Sequence, residues 1–247
     1  MKRQPDYEVE QWTPLKALLT ALSDDLALPL LQIKSSLEVL EHQNFAKTAV
    51  RAQSQKMTLS TEAGLQLIEA YRLALKAENN NILAMEPVAI GVVLQDVAEA
   101  IYPYARQYAT DLEVDVQGKL KPVLAYKPAL SAALQVLSTS IIRAQAAQSS
   151  KKRYRLLLGA HRGEDSAIAT GVFSDARGLS DKSLRIARSL IGKSRHPLPA
   201  VPPGAASGIL IADILCSSMW QPLRAAAYRN MQGLATVVPI SKQLQFV

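Results

Sequence analysis

Two adjacent carboxylates, Asp24 and Asp25, lie five and four residues before Pro29, inside a long helical pattern. A proline within a helix removes one backbone hydrogen bond and kinks the helix, so an acidic pair held one turn before it is unusual. At about 100° per residue around the helix, Asp24 falls opposite the apolar stripe and Asp25 flanks it. We therefore expect Asp24 to be exposed, where its carboxylate could take up a phosphoryl group as an acyl phosphate.

The acidic pair is carried by one long amphipathic helix. Apolar residues recur in steps of three and four from Leu15 to Leu40, and Thr13-Pro14 is a typical helix start. A second helix is predicted over roughly residues 45–78, and two long helices with a short connection form an antiparallel hairpin. A lone hairpin cannot cover both apolar stripes, so we expect a homodimer in which two hairpins form a four-helix bundle.

The pattern changes near residue 81 to short alternating strands and apolar helices. Helices are predicted over residues 90–108, 128–144, 181–191 and 209–219, and strands over 112–116, 122–125, 154–160, 167–173, 224–229 and 235–240. The last two strands should pair as a closing β-hairpin. These elements predict an α+β protein with helices on one face of an antiparallel-rich sheet.

The composition is that of a folded protein with room for two domains. The chain has 247 residues, of which 49% are hydrophobic and 20% charged. We divide it into an N-terminal tail (1–12), a hairpin dimerisation domain (13–80) and a second domain (81–247). Its one cysteine, Cys216, excludes an internal disulfide and is expected to be a small buried apolar residue.

Neither a membrane span nor a signal peptide is predicted. The sequence has no run of about 18 apolar residues, and residues 1–6 lack an apolar segment, so we expect a cytoplasmic protein. The net charge of +7 is compatible with nucleic acid or other anionic partners. The positive residues are scattered, however, and the one dense run, 151–155, has no recognition helix or aromatic stacking motif beside it. Nucleic acid is disfavoured as a partner.

Residues 23–30, Ser-Asp-Asp-Leu-Ala-Leu-Pro-Leu, resemble the phosphoacceptor segment of bacterial sensor histidine kinases, Ser-His-Glu-Leu-Arg-Thr-Pro-Leu. The order of elements from about residue 85 to 247 resembles the ATP-binding domain of that family, a two-layer α/β sandwich of the Bergerat type. Residues 233–240 resemble its final strand. The resemblance implies a degenerate kinase core, in which Asp24 stands at the position of the phosphorylated histidine.

The resemblance also locates the family's nucleotide site, and several positions in it are altered. Residues 140–143, Ser-Ile-Ile-Arg, match the family's Asn-Ala-Ile-Lys, so Ser140 replaces an asparagine that helps to hold Mg²⁺. Val136 replaces the upstream asparagine of the same motif. Serine is a poor Mg²⁺ ligand, so no metal site is expected. Ser174 replaces the aspartate that accepts a hydrogen bond from adenine, and Asp175, one position on, should point to the opposite face.

Glycines remain at two further positions of this nucleotide site. Gly178 survives from the second motif, in which the first glycine has become Ala176, and Gly208 survives from the third. Between them lies a loop with basic residues that could meet phosphates. No cofactor is expected beyond weak binding of ATP or ADP. The degenerate nucleotide site implied by the resemblance consists of Ser140, Asp175, Gly178 and Gly208.

The leading functional hypothesis is a pseudo-histidine kinase, a dimeric signalling scaffold that does not autophosphorylate. The resemblance implies a response regulator or a histidine kinase as its partner. In the family the receiver domain docks on the hairpin just below the phosphoacceptor. That partner-binding surface would here include Asp24, Ala27, Leu28 and Gln32.

Two alternatives belong to other classes. The first is a divergent kinase or phosphatase that still binds nucleotide, with Asp25 or Gln32 as its candidate polar residue. The second is a basic nucleic-acid-binding regulator, which rests on the charge and on residues 151–155. Nucleotide binding or turnover identifies the first, and affinity that falls steeply with salt identifies the second.

Overall fold

The N-terminal part of the fold is a helical hairpin. The computed structural model describes residues 7–42, 47–78, 83–148, 153–163, 167–175, 184–185, 188, 206–219 and 221–242. Helix α1 (Tyr7–His42) is followed by α2 (Lys47–Glu78). The two helices are antiparallel, since Gln32 of α1 contacts Ser60 of α2 whereas the earlier Asp25 contacts the later Tyr71.

Helix α1 begins six residues before the predicted start at Thr13-Pro14. The prediction was wrong because residues 7–12 contain no glycine or proline that would stop the helix from extending N-terminally past Pro14. The helix also continues through Pro29, which is buried. A Cβ placed on Gly64 of α2 would lie 3.9 Å from the Pro29 ring, an ordinary van der Waals contact, so α2 packs against α1 at the proline.

The second part of the chain is a two-layer sandwich of helices on a sheet, which confirms the predicted α+β class. The helix predicted over 181–191 lies largely outside the described residues. The sandwich consists of β1 (Glu86–Val88), α3 (Ile90–Gln107), β2 (Thr110–Val116), β3 (Val123–Ala125), α4 (Lys127–Gln148), β4 (Tyr154–Arg162), β5 (Ala167–Ser174), α5 (Ala206–Ser217), β6 (Arg224–Tyr228) and β7 (Met231–Pro239).

The main sheet has the strand order β2-β4-β5-β7-β6. Strand β2 runs parallel to β4, and the other neighbours are antiparallel. A parallel pair needs a crossover connection, which α4 supplies, and this connection brings α4 onto the sheet. Strands β1 and β3 form a separate two-stranded ladder. The topology therefore places α4, the helix with the first predicted nucleotide motif, beside the end of β5.

The closing β-hairpin has a tighter turn than predicted. Arg229 and Asn230 both have positive φ, 47° and 61°, and β7 begins immediately at Met231. Such two-residue turns match the twist of paired strands, and asparagine tolerates the left-handed conformation they require. The predicted longer turn up to residue 234 was wrong. Gly233 lies within the strand, where an added Cβ would come within 2.6 Å of the Phe173 ring.

The core of the sandwich extends into the helical hairpin. Five residues of α2 belong to the same buried apolar cluster as the sheet and its helices. Burial of each large apolar side chain contributes about 1.5–3 kcal/mol, so this shared cluster is a strong attachment. The five α2 residues are Leu67, Ala70, Tyr71, Leu73 and Ala74.

An ion pair attaches Arg188 to α5 and to the start of β6. The Arg188 Nε and Nη2 atoms donate to the two carboxylate oxygens of Asp213 at 2.8 and 2.9 Å. Nη2 also donates to the Leu223 carbonyl at 2.8 Å, and the Leu223 backbone N–H donates to Asp213. The Asp213 side chain is only 10% exposed, whereas Arg188 keeps 39% of its surface exposed, so the carboxylate is the desolvated partner. Paired and hydrogen-bonded charges of this kind are costly to separate.

We predict that Asp213→Asn lowers the free energy of unfolding by about 3 kcal/mol, because Arg188 loses its counter-ion in a partly buried place. Urea unfolding followed by circular dichroism measures the change. The matched control is Glu113→Gln, which breaks the exposed pair with Arg155 and should cost less than about 1 kcal/mol. Equal losses in the two variants would contradict the assignment.

Candidate functional site

The acidic pair on α1 is not a pair of exposed carboxylates. Asp25 is only 8% exposed, and its Oδ2 accepts a hydrogen bond from the Tyr71 hydroxyl at 3.0 Å. The backbone of Asp24 lies in α1, and its side chain lies outside the described part of the structure. Asp25 is thus part of the contact between α1 and α2, turned away from an incoming phosphoryl group.

Of the residues predicted to bind a partner, Ala27 and Leu28 are exposed to solvent, whereas Gln32 makes hydrogen bonds within the chain. Ala27 is exposed, and Leu28 keeps 42% of its surface exposed. Gln32 instead connects the helical hairpin to the sandwich. Its Nε2 donates to the Tyr108 hydroxyl at 3.0 Å, and its Oε1 accepts from Ser60 Oγ at 3.0 Å. Both ends of the Gln32 amide are therefore used within the chain.

The adenine end of the predicted nucleotide site is occupied by a side chain of the protein. Ser174, at the end of β5, is 1% exposed, and its hydroxyl accepts a hydrogen bond from Gln145 Nε2 on α4. Gln145 is itself completely buried. The position at which the resemblance places the adenine-binding carboxylate therefore has no carboxylate. Beside it, Gln145 Oε1 is buried and has no hydrogen-bond partner among the described residues.

Asp175 does not replace that carboxylate. Its Oδ1 accepts a hydrogen bond from the backbone N–H of Arg155 at 3.1 Å, which holds the side chain toward strand β4. Gly178 lies outside the described residues, as does the basic loop that follows it. Among the described residues, Asp175 thus stabilises the end of the β4–β5 pair.

The phosphate end of the predicted site is closed by direct helix packing. Ser140 of α4 is completely buried and faces Gly208, in the first turn of α5. A Cβ added to Gly208 would lie 2.6 Å from Ser140 Cβ and 3.2 Å from the Val136 carbonyl oxygen. The two helices are so close that only a glycine fits at this point.

Ser140, Gly208, Ser174 and Asp175 are thus all taken up by contacts within the protein. Among the described residues, the side chains that the family uses to bind adenine and Mg²⁺ are replaced by Ser174 and Ser140. The described residues also include no group of three His, Cys, Asp or Glu side chains able to hold a metal ion. No described helix has the length and apolar character needed to cross a membrane.

Two side chains that bind the predicted site residues were not predicted from the sequence. Gln145 is bonded to Ser174, and Tyr108 is bonded to Gln32. Gln145 is a polar residue in the apolar run that follows Ser140, and burial of an amide there signals a hydrogen-bond partner. No comparable signal exists for Tyr108, because its partner Gln32 is 76 residues away.

Solved structures with the same fold are histidine kinases and a phosphotransferase. The histidine kinase AdeS of Acinetobacter baumannii superimposes with a TM-score of 0.54 at 12% identity, over 87% of this chain and 97% of AdeS. A structure titled a bacterial phosphotransferase matches at 0.50 and 13% identity, over 96% of this chain and 98% of the other. The chain has the fold of a histidine kinase core.

Full-length ShkA in complex with AMPPNP matches this core fold at a TM-score of 0.50 and 17% identity, over 92% of this chain and 45% of ShkA. No family model matches the sequence, and no curated protein does. The similarity to histidine kinases is therefore one of fold, and the sequence identities of 12–17% do not assign an activity to this chain.

We predict that Gly208→Ala destabilises the protein by about 1–3 kcal/mol, because the new methyl group overlaps Ser140. Ser140→Gly in the same chain should recover part of that loss, since it removes the overlapping atoms. Unfolding of the four members of this double-mutant cycle by urea measures the coupling. Additive effects would show that α4 and α5 are not in contact at these residues.

Proposed function

We propose that the chain is a pseudo-histidine kinase, a dimeric signalling scaffold that binds a two-component partner and does not phosphorylate itself. The partner is a response regulator or a histidine kinase. The observation that carries this proposal is the hydrogen bond between Gln145 and Ser174 at the adenine end of the nucleotide site. Adenine could reach Ser174 only by displacing Gln145 Nε2 from this hydrogen bond, and leaving that buried donor unpaired costs about 1–3 kcal/mol.

The hairpin supports the same proposal. Asp24 stands where the family has its histidine, so no phosphohistidine can form there, and the neighbouring Asp25 is buried against Tyr71. The attachment of α2 to the sandwich core also opposes the movement of an ATP-binding domain towards its own hairpin. What remains is the shape of the core and an exposed surface at Ala27 and Leu28, where a partner would dock.

The charge distribution argues against the nucleic-acid alternative. Three arginines of the sandwich lie beside carboxylates of strand β2, at 2.8–3.2 Å, and so present less positive charge to a phosphate backbone. These pairs are Arg153 with Asp111, Arg155 with Glu113, and Arg229 with Asp115.

We predict no heat of binding for Mg-ATP or Mg-ADP at millimolar nucleotide, measured by calorimetry on the purified chain, because the site is filled by its own side chains. Ser174→Ala should behave identically, since that hydroxyl serves Gln145. Micromolar binding to the unmodified chain would contradict the scaffold proposal. The divergent nucleotide-binding kinase or phosphatase would then be the better assignment.

We also predict that the chain is a homodimer through the helical hairpin. Leu30 and Leu37 are two turns apart on one face of α1, yet 62% and 46% of their surfaces are exposed. On α2, Val50 and Ile68 are exposed by 43% and 45% and lie five turns apart. Exposed apolar residues aligned on long helices indicate a surface that a second copy covers.

The double variant Leu30→Glu/Leu37→Glu should therefore be monomeric, with its mass measured by light scattering after size exclusion. Val92→Glu is the matched control, because Val92 of α3 is 54% exposed but lies outside the hairpin. A monomeric unmodified chain at micromolar concentration would contradict the dimer. So would loss of the dimer in the control variant.

A further inference from the structure

A small cavity lies where the helical hairpin meets the sandwich, and we call it the junction cavity. Its volume is about 20 Å³, enough for one water molecule or one end of a small polar group. It opens beside Leu28, which is partly exposed. The lining residues are Leu28, Pro29, Gln32, Ala63, Leu67, Tyr104, Thr139 and Arg143.

Arg143 brings a positive charge to this cavity. Its Nε atom is shielded from solvent and has no hydrogen-bond partner among the described residues. Its Nη2 is 3.4 Å from Ser140 Oγ, which is at the long limit for a hydrogen bond. No ion pair between described residues includes Arg143. A shielded guanidinium N–H of this kind is a strong donor without an acceptor.

The groups around Arg143 do not provide a negative charge. Burial raises the pKa of Tyr104, and the nearby Arg143 only partly opposes this effect, so the phenol stays protonated. The Thr139 hydroxyl donates to a backbone carbonyl of its own helix. Gln32 adds a second donor, because only one of its two Nε2 hydrogens is used by Tyr108. The rest of the lining is apolar, which strengthens any charge-assisted hydrogen bond formed there.

We propose that the junction cavity binds one oxyanion group, a carboxylate or a phosphate, through Arg143 of α4 and Gln32 of α1. Such a ligand would join the helical hairpin to the sandwich, since its two donors come from the two parts of the fold. The group is either a free ion or the end of an acidic side chain of a bound protein. The proposal does not depend on the nucleotide site or on the identity of a two-component partner.

The test is a titration of the ¹⁵N-labelled full chain with inorganic phosphate and, separately, with acetate, followed by NMR. We expect the Nε–Hε signal of Arg143 and the side-chain amide signal of Gln32 to shift together and to saturate at millimolar ion. Arg143→Gln should weaken the Gln32 response by about tenfold or more, because the charge-assisted bond is lost. Arg106→Gln, which removes an exposed arginine of α3, should leave it unchanged.

Saturation with acetate as well as phosphate supports a site that an acidic side chain can enter, and saturation with phosphate alone supports a free or protein-bound phosphoryl group. Signals that move linearly without saturation would mean an adventitious ion only and would overturn the proposal. An unchanged Gln32 response in Arg143→Gln would also overturn it. The Arg143 signal of the unmodified chain decides the matter even where that variant does not fold.

Discussion

The shared burial of α2 is the constraint on which the rest of this structure depends. One face of this helix contacts α1, and Leu67, Ala70 and Ala74 belong to the core of the sandwich. Tyr71 does both, because its ring is buried in that core while its hydroxyl donates to Asp25 of α1. The relative placement of hairpin and sandwich follows from this packing, and the Gln32–Tyr108 hydrogen bond is possible only in that placement. Because the helical hairpin and the sandwich share one buried apolar cluster, they have little freedom to move relative to each other.

The positions that correspond to kinase chemistry have become positions of internal packing. Asp25 is bonded to Tyr71, Ser174 to Gln145, and Ser140 is in contact with the backbone of α5. The first two contacts are hydrogen bonds between buried side chains, and the third is close packing between two helices. The fold is shared with histidine kinase structures that are only 12–17% identical to this chain.

Much of the fold could be predicted from the sequence, because it depends on local periodicity. The apolar steps of α1 and the alternation in β2 and β4 are visible within short windows, and they gave the elements in the correct order. Strand β1 was missed because it is three residues long and contains a proline. The contacts that fill the site join residues 29 and 76 positions apart, and no local pattern contains them. The substitution at Ser174 could be seen in the sequence, but its hydrogen bond with Gln145 could not.

Gly208 has a packing role in this structure that differs from the role of the corresponding glycine in the nucleotide-binding motif. In a nucleotide-binding protein a glycine at a helix N-terminus lets the backbone approach a phosphate. Here the same residue is required because a methyl group would overlap Ser140 of the neighbouring helix. The packing of α4 against α5 would therefore require a glycine here whether or not a ligand binds. A surviving motif residue in a degenerate enzyme can record a steric requirement acquired later, and its presence alone is no evidence that the ancestral ligand still binds.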